Sequence, residues 1–143
     1  MRRLLLVLAL LAPAIARAES KVVVTDKAIV LPEPIYFDSG KATIKSASHA
    51  ELDALAAAIH HDQHLALVEV GVHTDERGDD TWNLELSQKR ADAIVTYLVS
   101  KHVEARRLRA RGYGETKPLD PHHNAAAWAK NRRTEIVILQ RTT

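Results

Sequence analysis

The chain has 143 residues, with 20 Lys and Arg against 18 Asp and Glu, 46% apolar residues and no cysteine. This composition is typical of one globular domain, and the lack of cysteine excludes disulfide frameworks, thiolate nucleophiles, zinc ribbons and iron–sulfur clusters. The sequence pI near 9.0 depends on Arg2, Arg3 and Arg17, since setting these three aside leaves 17 bases against 18 acids, a net charge of −1. Nucleic acid is therefore not indicated as a partner.

The first 18 residues have the three parts of a cleavable export signal. Two arginines precede an apolar run over 4–12, and Ala16-Arg17-Ala18 has the small-x-small pattern that signal peptidase cleaves. Pro13 interrupts the apolar run, which is shorter than the ~20 residues needed to span a bilayer. We predict a signal peptide over 1–18 and a periplasmic protein without an integral membrane segment, free or peripherally associated with the outer membrane or the cell wall. An uncleaved membrane anchor fits this length less well.

Strand and turn signals dominate the next part of the chain. Residues 19–27 are polar and β-branched, and they are predicted as a short tether to a domain over 28–143. A first strand is predicted over 28–31 and again over 35–37, and the prolines between these segments make it an edge or interrupted strand. Asp38-Ser39-Gly40 indicates a turn.

A helix with one buried face follows this turn. Ser48 and Glu51 have the spacing of a capping box at its start. Apolar residues then recur at i, i+3, i+4 and i+7, namely Leu52, Leu55, Ala56 and Ile59. The β-formers over 65–72 are apolar on both faces, which predicts a strand covered on both sides.

The longest predicted element is a helix over 81–102, with Asp79 or Asp80 as its N-cap. Its inward stripe is predicted to consist of Leu84, Ala91, Ile94, Val95 and Leu98. A strand over 108–113, a short helix over 125–130 and a strand over 134–139 complete the chain. Strands separated by helices predict an α/β (α+β) sandwich, in which helices pack against one mixed sheet.

The loop between the buried strand and the long helix is the first candidate for a binding site, because α/β folds tend to place ligands there. On the helix, Asn83, Ser87 and Arg90 share one stripe. Arg90 is then partly covered, and its guanidinium, which keeps its charge, requires a carboxylate or a ligand. Asp75 is the nearest carboxylate in the loop. Two interpretations stay open: Asp75 pairs with Arg90 or caps its own turn, or the two charges receive a ligand.

Four blocks of residues resemble, in order and spacing, the OmpA-like domain shared by outer-membrane protein A, peptidoglycan-associated lipoprotein and the flagellar stator protein MotB. The resemblance covers roughly residues 29–139 and implies that family's βαβαβ fold. The blocks are Tyr36-Phe37-Asp38-Ser39-Gly40 with Ile44, Leu52-Asp53 and Leu55-Ala56; His73-Thr74-Asp75 with Gly78, Asn83, Leu86-Ser87 and Arg90-Ala91; Arg107-Leu108, Gly112-Tyr113-Gly114-Glu115 and Pro118; and Asn131-Arg132-Arg133-Thr134-Glu135-Ile136.

The resemblance implies non-covalent binding of peptidoglycan, without hydrolysis and without a cofactor, through the diaminopimelate of the stem peptide. It also implies that Asp75 and Arg90 are the principal ligands. Diaminopimelate carries an ammonium and a carboxylate on one carbon, so a carboxylate opposite a bidentate guanidinium is complementary to it. The residues expected around these two charges are Phe37, Asp38, Thr74, Asn83, Leu86 and Arg132.

Three positions depart from the family pattern. Val72 stands directly before the His-Thr-Asp motif, where the family has glycine, and this β-branched residue predicts a displaced loop because it restricts the backbone. Trp82 replaces the usual tyrosine before the asparagine of the motif. His102 replaces the glycine that ends the long helix, and we expect it to adopt the left-handed conformation with some strain.

Metal binding fits the sequence less well. Three histidines, His60, His61 and His64, cluster at the end of the first helix, and His122 and His123 lie in a late loop. No carboxylate is fixed beside them to complete a set of metal ligands. Exposed histidines at a helix end need no ligand.

An enzyme also fits less well, since the sequence has no nucleophile elbow, phosphate-cradling glycine loop or HExxH helix. Glu76 and Asp79 lie near Asp75, but in a polar loop without an apolar pocket to raise the pKa of either acid, as glycan hydrolysis requires. A module that binds other cell-envelope proteins, without contact to the wall, is the remaining alternative.

Overall fold

The structure, a computed structural model, describes residues 21–143. The predicted signal peptide over 1–18 lies outside the described residues. Within residues 21–143, no helix combines the length and the apolar character that a membrane span requires.

Five strands form one mixed sheet. The strands are β1 (Val23–Val24), β2 (Ala28–Val30), β3 (Leu65–His73), β4 (Leu108–Gly114) and β5 (Arg133–Arg141), and the helices are α1 (His49–His61), α2 (Asp80–Ser100) and α3 (Ala125–Asn131). The order across the sheet is β1-β2-β5-β3-β4, with β3 and β4 parallel and all other neighbours antiparallel. The predicted fold class is confirmed.

The beginning of the domain differs from the prediction. The segment predicted as a tether contains β1, which pairs with β2, so that β2 is not at the edge of the sheet. β2 ends at Val30, and residues 35–37 do not continue it, because Phe37 forms only an isolated bridge with Ile44. The prolines at 32 and 34 lack the N–H that a strand needs to remain paired.

The apolar core lies between the sheet and the helices α1 and α2. The four predicted core residues of α1, from Leu52 to Ile59, are all buried there. Val68, Val70 and Val72 of β3 belong to the same cluster. Val72 therefore points into the core, and its bulk is used in packing. Directly after it the pairing with β4 shifts, since Val72 pairs with Gly112 but the next residue pairs with Gly114.

The predicted capping box at the start of α1 is wrong. The Ser48 hydroxyl accepts a hydrogen bond from the backbone N–H of Tyr36 (2.8 Å), and the Glu51 carboxylate accepts one from the N–H of Glu33 (3.2 Å). Residues Ser46–Ser48 already form a 3-10 turn, so Ser48 has helical backbone angles rather than those of a capping residue. Both oxygens instead fix the incoming segment to α1.

The N-cap of α2 is confirmed, because the Asp79 carboxylate accepts from the N–H of Trp82 (2.8 Å). The predicted inward stripe is wrong at Leu84, whose exposed fraction is 47%. The buried face of α2 instead consists of Asn83, Ser87, Ala91, Ile94 and Leu98.

The reason is that the first turns of α2 pack on backbone and not on an apolar layer. A Cβ atom added to Gly112 of β4 would lie 2.1 Å from the backbone nitrogen of Gln88. The Gln88 side-chain oxygen accepts from the Gly112 N–H (2.8 Å), and the Ser87 hydroxyl accepts from the Gly114 N–H (2.9 Å). Small and polar residues therefore occupy the helix face that leucine was predicted to fill.

The end of α2 follows the prediction for His102, whose φ of 75° lies in the left-handed region. This conformation is uncommon for a residue with a side chain, so His102 carries strain that glycine would not. The next N–H, of Val103, donates to the Leu98 carbonyl (3.2 Å) and closes the helix end.

Candidate ligand-binding site

The loop after β3 is held in place by α2 and β4. The Thr74 N–H donates to the Gly114 carbonyl (2.9 Å), which ties the start of the loop to the end of β4. The Asn83 amide donates to the carbonyls of Arg77 (2.9 Å) and Asp75 (3.4 Å). Asn83 is buried, so its contribution in this structure is to hold the loop that carries Asp75.

The Asp75 carboxylate is buried, with an exposed fraction of 6% for the residue, and has four hydrogen-bond donors. Its Oδ1 accepts from the backbone N–H (2.9 Å) and Nε (3.1 Å) of Arg77, and its Oδ2 accepts from Nη2 of Arg77 (2.8 Å) and Nη1 of Arg132 (2.7 Å). Burial alone raises the pKa of this carboxyl, but the bonds from Arg77 and Arg132 outweigh it and lower the pKa to about 2. Asp75 is therefore ionised at neutral pH.

Arg90 has a different environment. Its guanidinium lies 4.9 Å from the centre of the Phe37 ring, its Nε donates to the Lys41 carbonyl (2.9 Å), and its Nη2 approaches the Asp38 carbonyl (3.4 Å). Among the ion pairs of residues 21–143 there is none with Arg90. Burial lowers its pKa, but a guanidinium remains charged. Arg90 is thus a half-buried cation that faces neutral oxygens and an aromatic ring.

Of the two interpretations left open by the sequence, direct pairing of Asp75 with Arg90 does not occur. Asp75 does cap its own turn, through the Arg77 N–H, but it also pairs with two arginines that are not Arg90. The two charges are therefore satisfied separately: Asp75 by Arg77 of its own loop and by Arg132, which directly follows α3, and Arg90 by carbonyls.

A cleft of about 370 Å³ opens next to Arg90. Phe37, Arg90 and Arg132, three of the residues predicted around the ligand, line it together with His73. The other predicted residues do not form its wall in this structure: Asp38 contacts Arg90 through its backbone, Thr74, Asp75 and Asn83 lie in or under the loop, and Leu86 lines a separate groove.

Sequence analysis missed the contacts that join the Asp75 loop to α3. Glu76 accepts from the Trp128 indole N–H (2.9 Å) and lies 2.6 Å from Nδ1 of His123, and the Arg77 guanidinium lies 4.5 Å from the centre of the Trp128 ring. The Asp-x-Arg spacing of Asp75 and Arg77 is a local signal that could have predicted their pair. No local pattern connects residue 76 with residue 128.

The side chain of His73 contributes no hydrogen bond to the loop within residues 21–143. Its ring is buried and stacked on Tyr113, with 4.7 Å between ring centres and an angle of 5° between planes. Neither ring nitrogen has a hydrogen-bond partner in the described part of the chain, although Nε2 lies 3.5 Å from the Glu135 carboxylate. Burial, aided by the charge of Arg133, lowers the pKa of His73 to about 4, so its ring is neutral at pH 7.

The histidine clusters show no convergence in the structure. His60 Nδ1 lies 3.1 Å from the His102 carbonyl, and His122 and His123 contact the carboxylates of Asp120 and Glu76 separately. Over residues 21–143, no three His, Asp or Glu side chains are grouped so as to hold a metal ion.

These features define an α+β domain in which a loop aspartate and a helix arginine lie at one end of a mixed sheet. A profile of the OmpA family matches residues 36–132, which is more than half of the chain. The chain belongs to the OmpA family.

Three comparisons describe its similarity to known proteins. The peptidoglycan-associated lipoprotein of Haemophilus influenzae is 42% identical over 102 residues, 71% of this chain and 66% of that protein. Photosystem I P700 chlorophyll a apoprotein A2 of Gloeobacter violaceus is 38% identical over 116 residues, 77% of this chain but 13% of that protein. The crystal structure of the peptidoglycan-associated lipoprotein from Burkholderia pseudomallei has a TM-score of 0.63 and 32% identity, covering 73% of this chain and 89% of that chain. The chain thus spans less than two thirds of either sequence relative.

Proposed function

We propose that this domain binds peptidoglycan in the cell envelope without hydrolysing it, through the diaminopimelate of the stem peptide. Two relatives are named for an association with peptidoglycan, and one of them is also similar in structure. The observation that carries the proposal is the environment of Arg90, a half-buried cation beside an open cleft. Its hydrogen-bond acceptors are neutral carbonyl oxygens, and a guanidinium binds these less strongly than it binds a carboxylate. A ligand carboxylate supplies that partner.

The ammonium of the same ligand carbon is assigned to Asp75. This carboxylate is ionised and already accepts four hydrogen bonds, about as many as its lone pairs allow. One donor must therefore leave when an ammonium arrives. Arg132 suits this role because half of its side chain is exposed to solvent and because it also lines the cleft. Released from Oδ2, its guanidinium turns to a second carboxylate of the stem peptide.

The other residues of the site contribute through these two charges. Phe37 covers one face of the Arg90 guanidinium and limits its hydration, which strengthens a bond to a carboxylate. Thr74 and Asn83 fix the backbone around Asp75. Asp38 contributes its carbonyl to the orientation of Arg90.

The test is co-sedimentation of the protein with purified insoluble sacculi. We expect retention that free diaminopimelate competes away and that Asp75→Asn and Arg90→Ala each abolish. Arg106→Ala is the matched control, because Arg106 is an exposed arginine that pairs with Glu104, two residues away. Retention of both site variants would contradict the proposal, and release of soluble muropeptides would identify an enzyme instead.

Sacculi with lysine in place of diaminopimelate test the chemistry of the ligand. Lysine has the ammonium but lacks the carboxylate on the same carbon, so Arg90 has no partner in it. We expect wild-type protein to be retained much less on lysine-type sacculi, and Arg90→Ala to be indifferent to the wall type. Equal retention of wild-type protein on both walls would show that the zwitterion is not what the site recognises.

A further inference from the structure

A second groove is lined by the segment 40–43, in which the Lys41 carbonyl accepts a hydrogen bond from Arg90. Its volume is about 270 Å³, and its walls are this segment and the stripe of α2 that contains Trp82, Leu86 and Lys89. Trp82 is 53% exposed, so much of its indole faces solvent at the mouth of the groove. None of the contacts described for Asp75 or Arg90 involves these side chains.

The walls of this groove combine an aromatic face with polar groups. Trp82 and Leu86 provide apolar surface, while Lys41, Thr43 and Lys89 provide hydrogen-bond donors or acceptors. A sugar ring has the matching character, because its C–H bonds form an apolar face and its hydroxyl and acetamido groups lie around the edge. An exposed tryptophan next to convergent polar groups is therefore suited to stack on such a ring.

The position of the groove relative to the first site matches the covalent structure of the wall. Trp82 and Arg90 are eight residues apart on α2, a rise of about 12 Å along the helix. In peptidoglycan two amino acids separate diaminopimelate from N-acetylmuramic acid, and three extended residues span about 10 Å. The Arg90 Nε, at the wall of the cleft, donates to the carbonyl of Lys41, which lies in the wall of the groove, so one hydrogen bond connects the two sites.

We infer that this groove binds an amino sugar of the glycan strand, stacked on Trp82, while the cleft beside Arg90 binds the stem peptide attached to it. The inference rests on the proposed binding of the stem peptide. The domain would then recognise the junction between the sugar and the stem peptide. Trp82 would raise affinity for the wall but would make no contact with a free stem peptide.

The experiment compares two soluble ligands by calorimetry: the stem tripeptide that ends in diaminopimelate, and the same peptide attached to N-acetylmuramic acid. We expect wild-type protein to bind the sugar-bearing ligand about three- to tenfold more tightly than the peptide, the gain typical of an aromatic stacking contact. Trp82→Ala is expected to lose this difference and to keep the wild-type affinity for the peptide. Trp82→Tyr, which retains an aromatic face, is expected to restore part of it.

The matched control is Leu84→Ala, which removes an exposed apolar side chain from the same helical turn but outside the groove. It should bind both ligands like the wild type. The chain has two tryptophans, so the difference in fluorescence between wild type and Trp82→Phe reports Trp82. Its emission should shift to the blue with the sugar-bearing ligand and not with the peptide.

Each other result has a distinct meaning. If wild-type protein binds both ligands equally and Trp82→Ala changes neither, the glycan inference is wrong while the proposed function stands, and the exposed indole is left to a protein partner. If Trp82→Ala weakens both ligands alike, Trp82 acts through the start of α2 and the inference is again wrong. If the wild type binds neither ligand, the proposed function itself fails.

Discussion

The two charged ends of the candidate site differ in how completely the protein satisfies them. Asp75 accepts four hydrogen bonds and lies in a loop that α2, β4 and α3 hold together. Within residues 21–143, Arg90 on α2 contacts carbonyls and an aromatic ring but no carboxylate. The anion is thus part of the folded structure, whereas the cation gains most from a ligand. Removal of Asp75 should therefore affect stability and binding together, and removal of Arg90 should affect binding alone.

The largest loss of stability is expected for Gly112→Ala, because the packing of α2 against β4 supports both charged residues of the site. Gly112→Ala places a Cβ 2.1 Å from the Gln88 nitrogen, and neither backbone can give way without moving α2 against β4. We expect the free energy of unfolding to fall by about 3 kcal/mol or more, with loss of retention on sacculi, since α2 carries Arg90 and Asn83. Chemical denaturation measures the first and co-sedimentation the second.

The control for this variant is Gly71→Ala on the neighbouring strand. Its Cβ would lie 3.0 Å from a ring atom of Tyr113, a side chain that can shift. A smaller loss of stability is therefore expected. Equal losses in the two variants would show that the contact between α2 and β4 is not the tight one.

Arg90→Ala is expected to have the next largest effect, and on binding only. Two charge-assisted bonds to a carboxylate contribute about 1.5–3 kcal/mol each, so affinity for a diaminopimelate peptide should fall about a hundredfold or more. The free energy of unfolding should change little, because Arg90 has no ion pair within residues 21–143 and burial already opposes its charge. Calorimetry and denaturant titration of the same preparation separate the two. A stability loss as large as that of Gly112→Ala would contradict the prediction that Arg90 contributes to binding and not to stability.

Asp75→Asn should change both properties, and its effect on stability should depend on pH. The pKa of Asp75 is about 2 in the folded state against 3.8 ordinarily. A lowered pKa of an acid stabilises the fold above pH 4, and this contribution disappears as the pH falls to 2. The shift corresponds to on the order of 2 kcal/mol. Wild type should exceed Asp75→Asn by this amount at pH 6, and the two unfolding curves should converge near pH 2.

His73 should make stability depend on pH over a second pH range, which does not overlap with that of Asp75. Its pKa is lowered from 6.5 to about 4, so the unfolded chain binds the extra proton first as the medium is acidified. Stability linked to His73 is therefore complete above pH 6.5 and is lost between pH 6.5 and 4. A His73→Phe variant, which keeps the stack on Tyr113, should lack this slope while retaining the one between pH 4 and 2. Loss of both slopes would contradict their assignment to separate residues.

The sequence predicts the elements that pack on an apolar layer better than the polar contacts of the candidate site. A run of β-formers identified β3, and helical periodicity identified the core face of α1, because the residues of both contact an apolar layer. Periodicity wrongly placed Leu84 in the core, because it assumes an apolar layer along the whole of α2. The first turns of α2 instead pack on Gly112 and Gly114. The resemblance pointed to Asp75, Arg90 and Arg132, but no local pattern predicts that Arg132, 57 residues along the chain, donates to Asp75 beside the nearby donors of Arg77.

The smallest effect is expected for Arg77→Ala. Arg77 gives Asp75 two side-chain hydrogen bonds and covers Trp128, but 55% of its side chain is exposed, where ion pairs contribute less than about 1 kcal/mol. The backbone N–H at position 77 and Arg132 remain as donors to Asp75. Stability should fall less than in Asp75→Asn, and affinity for the wall should stay within a few-fold of the wild type.

The same variant tests which hydrogen bonds keep the pKa of Asp75 low. Since the bonds from Arg77 lower the pKa of Asp75 more than the bond from Arg132, removal of the Arg77 side chain should raise that pKa toward its ordinary value, as followed by NMR titration of the carboxyl. Asp75 nevertheless stays ionised at neutral pH and available to an ammonium. If Arg77→Ala abolished retention on sacculi while leaving the fold intact, the ligand would depend on Arg77 itself, and the cation of the site would belong to the loop rather than to Arg90 on α2.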